Sequence, residues 1–531
     1  MVMTAYVIGV DVGTGSVRAA LFDERGGRLA VADRPIRMNR PRPLHVEQSS
    51  DDIWAGVVQC VRAVVTAAGV PVESIKAIGY DATCSLVAVD ARGKPVSVSE
   101  SGDDQWNVVV WMDHRALAEA EAINKGGHEV LDFVGGAISP EMEIPKIRWL
   151  KTHLPAQYER VALFLDLADF LSWRSTGSTV RSACTTVCKW TYLHHEKRWS
   201  RPFFEALDLV ELIDDNRIGD EIVEAGTPAG RLTAEAAAEL GLSPDVVVAV
   251  GLIDAHAGGV GVLGDKPEEA LAVIAGTSAC HMASNRDRHF VPGVWGPYHG
   301  AMVPGYWLAE GGQSAAGALV DFVLRDSAAW PALEKEVART GRSAYACLNE
   351  LVKTLEAENP FPTRDFHLLG YYLGNRSPLA DPTLTGMMVG LKLDDTLEGL
   401  AVRYLAALQS VAYGTRHIIE TMNANGYAIK RIRLCGGGAK NPLWVREFAD
   451  VIGVPIEIIS ESEAMLLGSA MLGATAAGLY PALTDAMLAM AGDVSVTLPR
   501  PETAAFHDRK YRIFRQMADD QMKYRGLLAA G

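Results

Sequence analysis

The sequence predicts an α/β protein of duplicated architecture with mixed sheets, on three observations. Tyr6–Val12, Val17–Asp23 and Arg28–Ile36 are apolar runs separated by the turns Gly-Thr-Gly-Ser and Glu-Arg-Gly-Gly, a pattern of three antiparallel strands that is followed by a helix and another strand. The same opening returns at Leu271–Ser284, "LAVIAGTSACHMAS", as strand, Gly-Thr-Ser turn and strand. Between the two lies the glycine-rich "VGLIDAHAGGVGVLG", Val250–Gly264, where a hinge between two halves is expected.

The elements follow in order. Asp51–Ala68 has helical apolar spacing, with Ser50 or Asp51 placed to cap its N-terminus. Ile75–Tyr80 is a short apolar strand ending at Asp81-Ala82-Thr83-Cys84-Ser85-Leu86-Val87. Gly341–Pro360 reads as a mostly helical surface elaboration. "IKRIRLCGGGAKNPLWVREFADVIGVPIEII" reads as strand, glycine loop, helix and strand. Ala464–Tyr480 is apolar but short and rich in Ala and Gly, which predicts a buried helix rather than a membrane span. Pro501–Leu528 reads as an amphipathic helix with Phe506, Tyr511, Phe514 and Met517 near one face. The expected units are therefore 1–262, 263–500 and a helical tail at 501–531.

Composition narrows the function. Across 531 residues, 49% hydrophobic and 22% charged residues describe an ordinary globular chain. The net charge of −15 argues against a nucleic-acid or anionic-membrane surface while leaving room for a local phosphate pocket. The chain opens into a strand without the basic and apolar regions of a secretory signal. Its seven scattered cysteines predict reduced thiols in a cytoplasmic protein, and Cys184 with Cys188 lacks the second pair that a zinc site needs.

The glycine turns carry the chemistry. Asp11-Val-Gly-Thr-Gly-Ser lacks the lysine of a Walker A loop, and a strand rather than a dinucleotide-fold helix follows it. A hairpin with converging N–H groups still makes an anion nest, to which Thr14, Ser16 and Arg18 add donors. Asp11 at the strand end is the acid a Mg²⁺–nucleotide site requires. Gly276-Thr277-Ser278 supplies a second nest, and Gly436-Gly437-Gly438 before a helix would let a flat adenosine approach the backbone.

With these motifs the chain resembles the FGGY carbohydrate kinases, of the actin, Hsp70 and hexokinase superfamily. The resemblance rests on "GVDVGTGSVRAALFD", "VVWMDHRA", "GLIDAHAGGVGVLG", "IAGTSACHM", "LLGYYLGNRSPLADPTLTGMMVGL" and "CGGGAKNPLWVREFADVIGVPI". It implies two ribonuclease-H-like domains around a central cleft, with ATP and Mg²⁺ as cofactors and a sugar as substrate. Asp254 is then the general base and Asp11 the metal-orienting carboxylate. Gly13, Thr14, Gly15, Arg18, Gly276, Thr277, Gln313, Gly437, Gly438 and Asn441 fall to the nucleotide. Thr83, Ser85, Asp113, Lys189, Asp254 and Glu310 fall to the sugar, with Arg115 bracing Asp113, Trp111 as wall or core, and His256 as packing or as support behind the substrate-contacting residues. The Thr-Cys-Ser-Leu-Val run resembles the D-ribulose branch, placing D-ribulose ahead of L-ribulose or ribitol and then xylulose. A nucleotide-gated scaffold is the competing class, and a homodimer is compatible with the sequence.

Overall fold

The computed structural model describes residues 4–461 and 463–529; the first three residues of the expected N-terminal unit and the last two of the tail lie outside the described residues. Each half is built on a 7-stranded sheet. In the first, Tyr6–Val12, Ser16–Asp23 and Arg28–Pro35 run antiparallel in succession. Ile75–Ala82 joins Tyr6–Val12 in parallel, and Val247–Ala249 joins Ile75–Ala82 in parallel. In the second, Ala270–Ala275, Ala279–Asn285 and Trp307–Gln313 are antiparallel. Arg431–Cys435 then pairs parallel with Ala270–Ala275, and Ile456–Ile459 with Arg431–Cys435. Both sheets therefore share the spatial order third, second, first, fourth, fifth. The expected duplication is present strand by strand.

The helix Ser50–Ala68 covers one face of the first sheet. Its cap is Ser49, one residue before the expected position, whose hydroxyl accepts the Asp52 N–H at 3.3 Å. The strand beginning at Ile75 runs on to Ala82, two residues past the expected end, and this extension carries Asp81 into the sheet.

The opposite face is covered by Ala464–Ala476, the apolar segment expected to be a buried helix. It rides directly on backbone: an added Cβ at Gly9 would run into the Leu466 carbonyl, and one at Gly79 into the Ser469 carbonyl. The expected hinge segment is a short strand, Leu252–Ile253, leading into the helix Asp254–Leu263. That helix and Ala464–Ala476 cross through reciprocal glycines, Gly261 against the Ala464 carbonyl and Gly468 against the Ala257 carbonyl. Close backbone approach of this kind admits no larger residue.

Gly341–Pro360 contains the helix Ala344–Glu358, and the tail is the helix Ala504–Ala529. The tail buries Phe506, Tyr511, Phe514 and Met517, the residues its periodicity placed on one face. All seven cysteines are free thiols. Among the described residues no helix is long and apolar enough to cross a membrane.

Candidate active site

Three carboxylates meet at the C-terminal ends of three adjacent strands. Asp11 lies beside Asp81 as its register partner across the parallel pair. Leu252 and Ile253 pair with Asp81 and Ala82, which sets Asp254 next in line as the first residue of its helix. Ligands of parallel α/β sheets gather at such strand ends because backbone N–H groups and following loops converge there. Asp11 and Asp81 are buried, whereas Asp254 is half-buried. Its Oδ1 accepts the Ala255 N–H at 2.7 Å. Burial, then the charge of Asp11, raises the Asp254 carboxyl to about 7. Burial and Asp11 also push Asp81 well above the ordinary carboxylate range.

Arg18 closes one side of this cluster. Its guanidinium pairs with Asp11 Oδ2, Nε at 2.9 Å, and reaches Glu463 Oε2 at 2.6 Å. The hard oxygen donors of Asp11 and Asp81, with Asp81 Oδ1 buried and lacking a hydrogen-bond partner, fit a magnesium ion.

The second group lies toward Lys189, on the helix Ala183–Trp190. Lys189 is half-buried, and its ammonium stands 5.6 Å from the Trp295 ring centre. Burial opposes its charge, but the field of Cys84, Glu310, Tyr298 and Glu141 raises its pKa well above normal. Glu310 is buried, a location that favours the neutral acid; a hydrogen bond and charge from His256, with Lys189 and Arg376, bring it down to about 2. His256 spans the site, Nε2 at 3.3 Å from Glu310 and Nδ1 at 3.0 Å from Cys184 Sγ. Cys184 also accepts the Ile253 N–H at 3.4 Å, immediately before Asp254. The result is a cluster of charged groups beside an acid that can exchange a proton near neutrality.

The two glycine hairpins occupy equivalent places in the two sheets. Gly13 donates to the Ser16 carbonyl at 3.0 Å, and Gly276 to the Ser278 carbonyl at 2.8 Å. A Cβ at Gly15 would meet nothing within 4 Å, so the space above that turn is open. Gln313 is held by donating to the Val411 carbonyl and to Thr415 Oγ1, both at 3.0 Å. Gly437 and Asn441 border a cavity of about 450 Å³ together with Tyr345, Asn349 and Lys440. Asn441 caps the helix Pro442–Ile452 by accepting the Leu443 N–H at 3.1 Å. Gly438 is buried beneath the loop, where its Cα faces Ala275 and Trp444.

Three sugar-site candidates are buried and hydrogen-bonded within the protein. Asp113 is fully buried and accepts from the Val46 N–H and from Arg115, which braces it through Nε and Nη2 at 2.9 and 2.7 Å. Both of its oxygens are engaged inside the protein. Ser85 is fully buried, accepting the Trp111 N–H at 3.1 Å, and its Oγ lies 3.0 Å from Thr83 Oγ1. Trp111 donates its ring N–H to Thr14 Oγ1 at 3.0 Å and so ties this wall to the first hairpin.

The sequence reading did not include Asp81, Glu141, Arg376 or the bridging contacts of His256. Asp81 had a signal, an acid at the end of a second strand just as Asp11 ends the first.

Models for the N-terminal and C-terminal domains of the FGGY family of carbohydrate kinases match residues 6–261 and 271–477. The chain belongs to this family. It is 45% identical to the human FGGY carbohydrate kinase domain-containing protein, over 98% of each chain. It is 39% identical to a D-ribulokinase of Saccharomyces cerevisiae, over 89% of this chain and 72% of the yeast protein. The crystal structure of xylulose kinase from Rhodospirillum rubrum superposes with a TM-score of 0.80 at 23% identity, covering 98% of this chain and 99% of that one. The fold of this FGGY carbohydrate kinase is thus the two-domain, actin- and hexokinase-like α/β fold.

Proposed function

We propose that this FGGY kinase transfers the γ-phosphoryl group of ATP to a pentulose, D-ribulose, giving D-ribulose 5-phosphate and ADP. The observation that carries the reading is Asp254, half-buried, raised to about 7, and set between the Asp11 strand end and the Lys189–Glu310 pocket. A general base works best when its pKa lies near the working pH. The terminal hydroxyl of the sugar attacks the γ-phosphorus, the bond to the ADP oxygen breaks, and Asp254 takes the hydroxyl proton.

Lys189 and Glu310 orient the polyol by opposite charge, one donating and the other accepting. Gly13, Thr14, Gly15, Gly276 and Thr277 receive the phosphates, and Arg18 swings from Asp11 to them. Gln313 lies beside the second nest, and Gly437 and Asn441 form the adenosine wall, with Gly438 packed behind it. Asp11, with Asp81, would hold Mg²⁺, which neutralises phosphate charge. Positioning and charge neutralisation are most of what phosphoryl transfer asks of a protein. The two family domains, here taken as 1–262 and 263–500 with a tail at 501–531, would close over both substrates to exclude water. We assign Asp113 to bracing the sugar-side wall and the kinase to the cytoplasm.

D-ribulose is favoured by the D-ribulokinase relative at 39% identity and by the Thr83–Val87 run, which resembles the D-ribulose branch. ATP consumption measured across D-ribulose, L-ribulose, ribitol and D-xylulose tests the choice. The highest kcat/KM belongs to D-ribulose, and changes at Thr83 or Ser85 shift the sugar ratios more than the ATP parameters. Better turnover of L-ribulose or ribitol would move the substrate within the family, and ATP turnover indifferent to every sugar would overturn the kinase reading.

A further inference from the structure

Away from the carboxylates, the two halves meet again through imidazoles. His194 opens the turn His194–Glu196 just after the Lys189 helix, Glu224 follows the short strand Ile222–Val223, and His299 ends the strand Trp295–His299. Each brings one ligand atom to within 4.8 Å of the other two. The His194 and His299 rings stack at 5.5 Å.

His194 Nε2 lies 3.3 Å from Glu224 Oε1. That is long for a charge-assisted hydrogen bond. It matches the ligand–ligand edge, about 3.3 Å, of a tetrahedron whose metal–nitrogen bonds are about 2.0–2.1 Å. His299 Nδ1 is buried without a hydrogen-bond partner, a ring nitrogen with no use inside the protein. Among the described residues no Lys or Arg pairs with Glu224, whose other contact is the Gly305 N–H at 3.3 Å.

We propose that His194, Glu224 and His299 form a site for a divalent transition-metal ion, zinc foremost, that clips the two halves together beside the sugar pocket. Two imidazoles and a carboxylate suit zinc, cobalt or nickel and discriminate against magnesium and calcium. Three protein ligands leave a fourth position for water. His194 and Glu224 lie in the region matched by the N-terminal family domain and His299 in that matched by the C-terminal one. The clip reaches the pocket through short connections: Thr191, Tyr192 and Leu193 separate His194 from the Lys189 helix, and Trp295 beside Lys189 shares a strand with His299.

The test uses the full chain, stripped with a chelator and titrated with Co²⁺ in excess Mg²⁺. One equivalent binds, develops the visible absorption of nitrogen-coordinated cobalt, and is displaced by Zn²⁺, which also raises the melting temperature. His299→Ala and Glu224→Gln each weaken binding by at least about tenfold, whereas Asp11→Asn retains the signal and so separates this site from the nucleotide metal. Melting of the stripped variants checks that they fold, with His299→Gln as the alternative should the alanine variant fail. No saturable binding, or binding unchanged by both substitutions, overturns the proposal.

Discussion

Asp11 and Asp81 are register partners at the ends of neighbouring parallel strands, where burial and the charge of Asp11 hold the Asp81 carboxyl well above its ordinary pKa. A carboxyl raised in the folded state binds its proton more tightly there than in the unfolded chain. Its stabilising effect is full below the unfolded pKa and is lost as pH rises through the folded one. Asp81→Asn removes the titration while keeping the shape. Wild type should therefore lose stability relative to this variant as pH rises above about 4, in denaturant melts across pH. The same variant should need about tenfold more Mg²⁺ for half-maximal activity, read from metal titrations. Unchanged metal dependence would leave Asp81 as a buried polar group without a metal role.

Asp254→Asn removes the proton acceptor at nearly constant volume. Its kcat should fall about a hundredfold or more with ATP affinity unchanged. Steady-state kinetics with an independent nucleotide-binding measurement checks both halves of the statement.

The Asp254 carboxyl stands at about 7 in the free protein, against about 4 in an unfolded chain. Wild type should lose a few kcal/mol relative to Asp254→Asn between those two values as pH rises. Parallel unfolding curves for the two proteins over that range would show that Asp254 is not raised.

Lys189→Met keeps the length and removes the charge facing Glu310. The sugar KM should rise about tenfold or more, the scale of a lost charge-assisted hydrogen bond, with the KM for ATP unchanged. Equal effects on both substrates would mean that the pocket had been disturbed as a whole.

Gly468→Ala sets a methyl group against the Ala257 carbonyl in the helix crossing. The expected loss is about 2 kcal/mol or more, read by thermal melting. Gly69→Ala, whose Cβ would meet nothing within 4 Å but whose φ is +64°, provides a purely conformational comparison.

Much of the architecture was legible because its signals are local. Alternating apolar runs broken by Gly-Thr-Gly-Ser or Gly-Thr-Ser mark both hairpins, and Asp254 stands out as an acid entering a small-residue helix. Asp81 was obscured because the strand carrying it outlasts its apolar run by two residues. The surroundings of Asp113 were not legible at all: Val46 and Glu47, which share its environment, lie far away in sequence. Gly261 and Gly468 have meaning only once two distant helices cross, and His194 meets His299 only after both sheets have formed. Pairwise geometry of this sort is tertiary information that no local pattern carries.

The crossing of the Asp254–Leu263 and Ala464–Ala476 helices is a backbone-to-backbone joint, the second helix lying on the first sheet and the first against the second sheet. Asp254 stands seven residues before Gly261 on one of these helices, about 10 Å along it at 1.5 Å per residue. The Gly436–Gly438 loop follows Arg431–Cys435, an interior strand of the second sheet paired with Ala270–Ala275. If the two halves close over their substrates as proposed, the proton acceptor, lying beside this joint, moves less than residues farther from it.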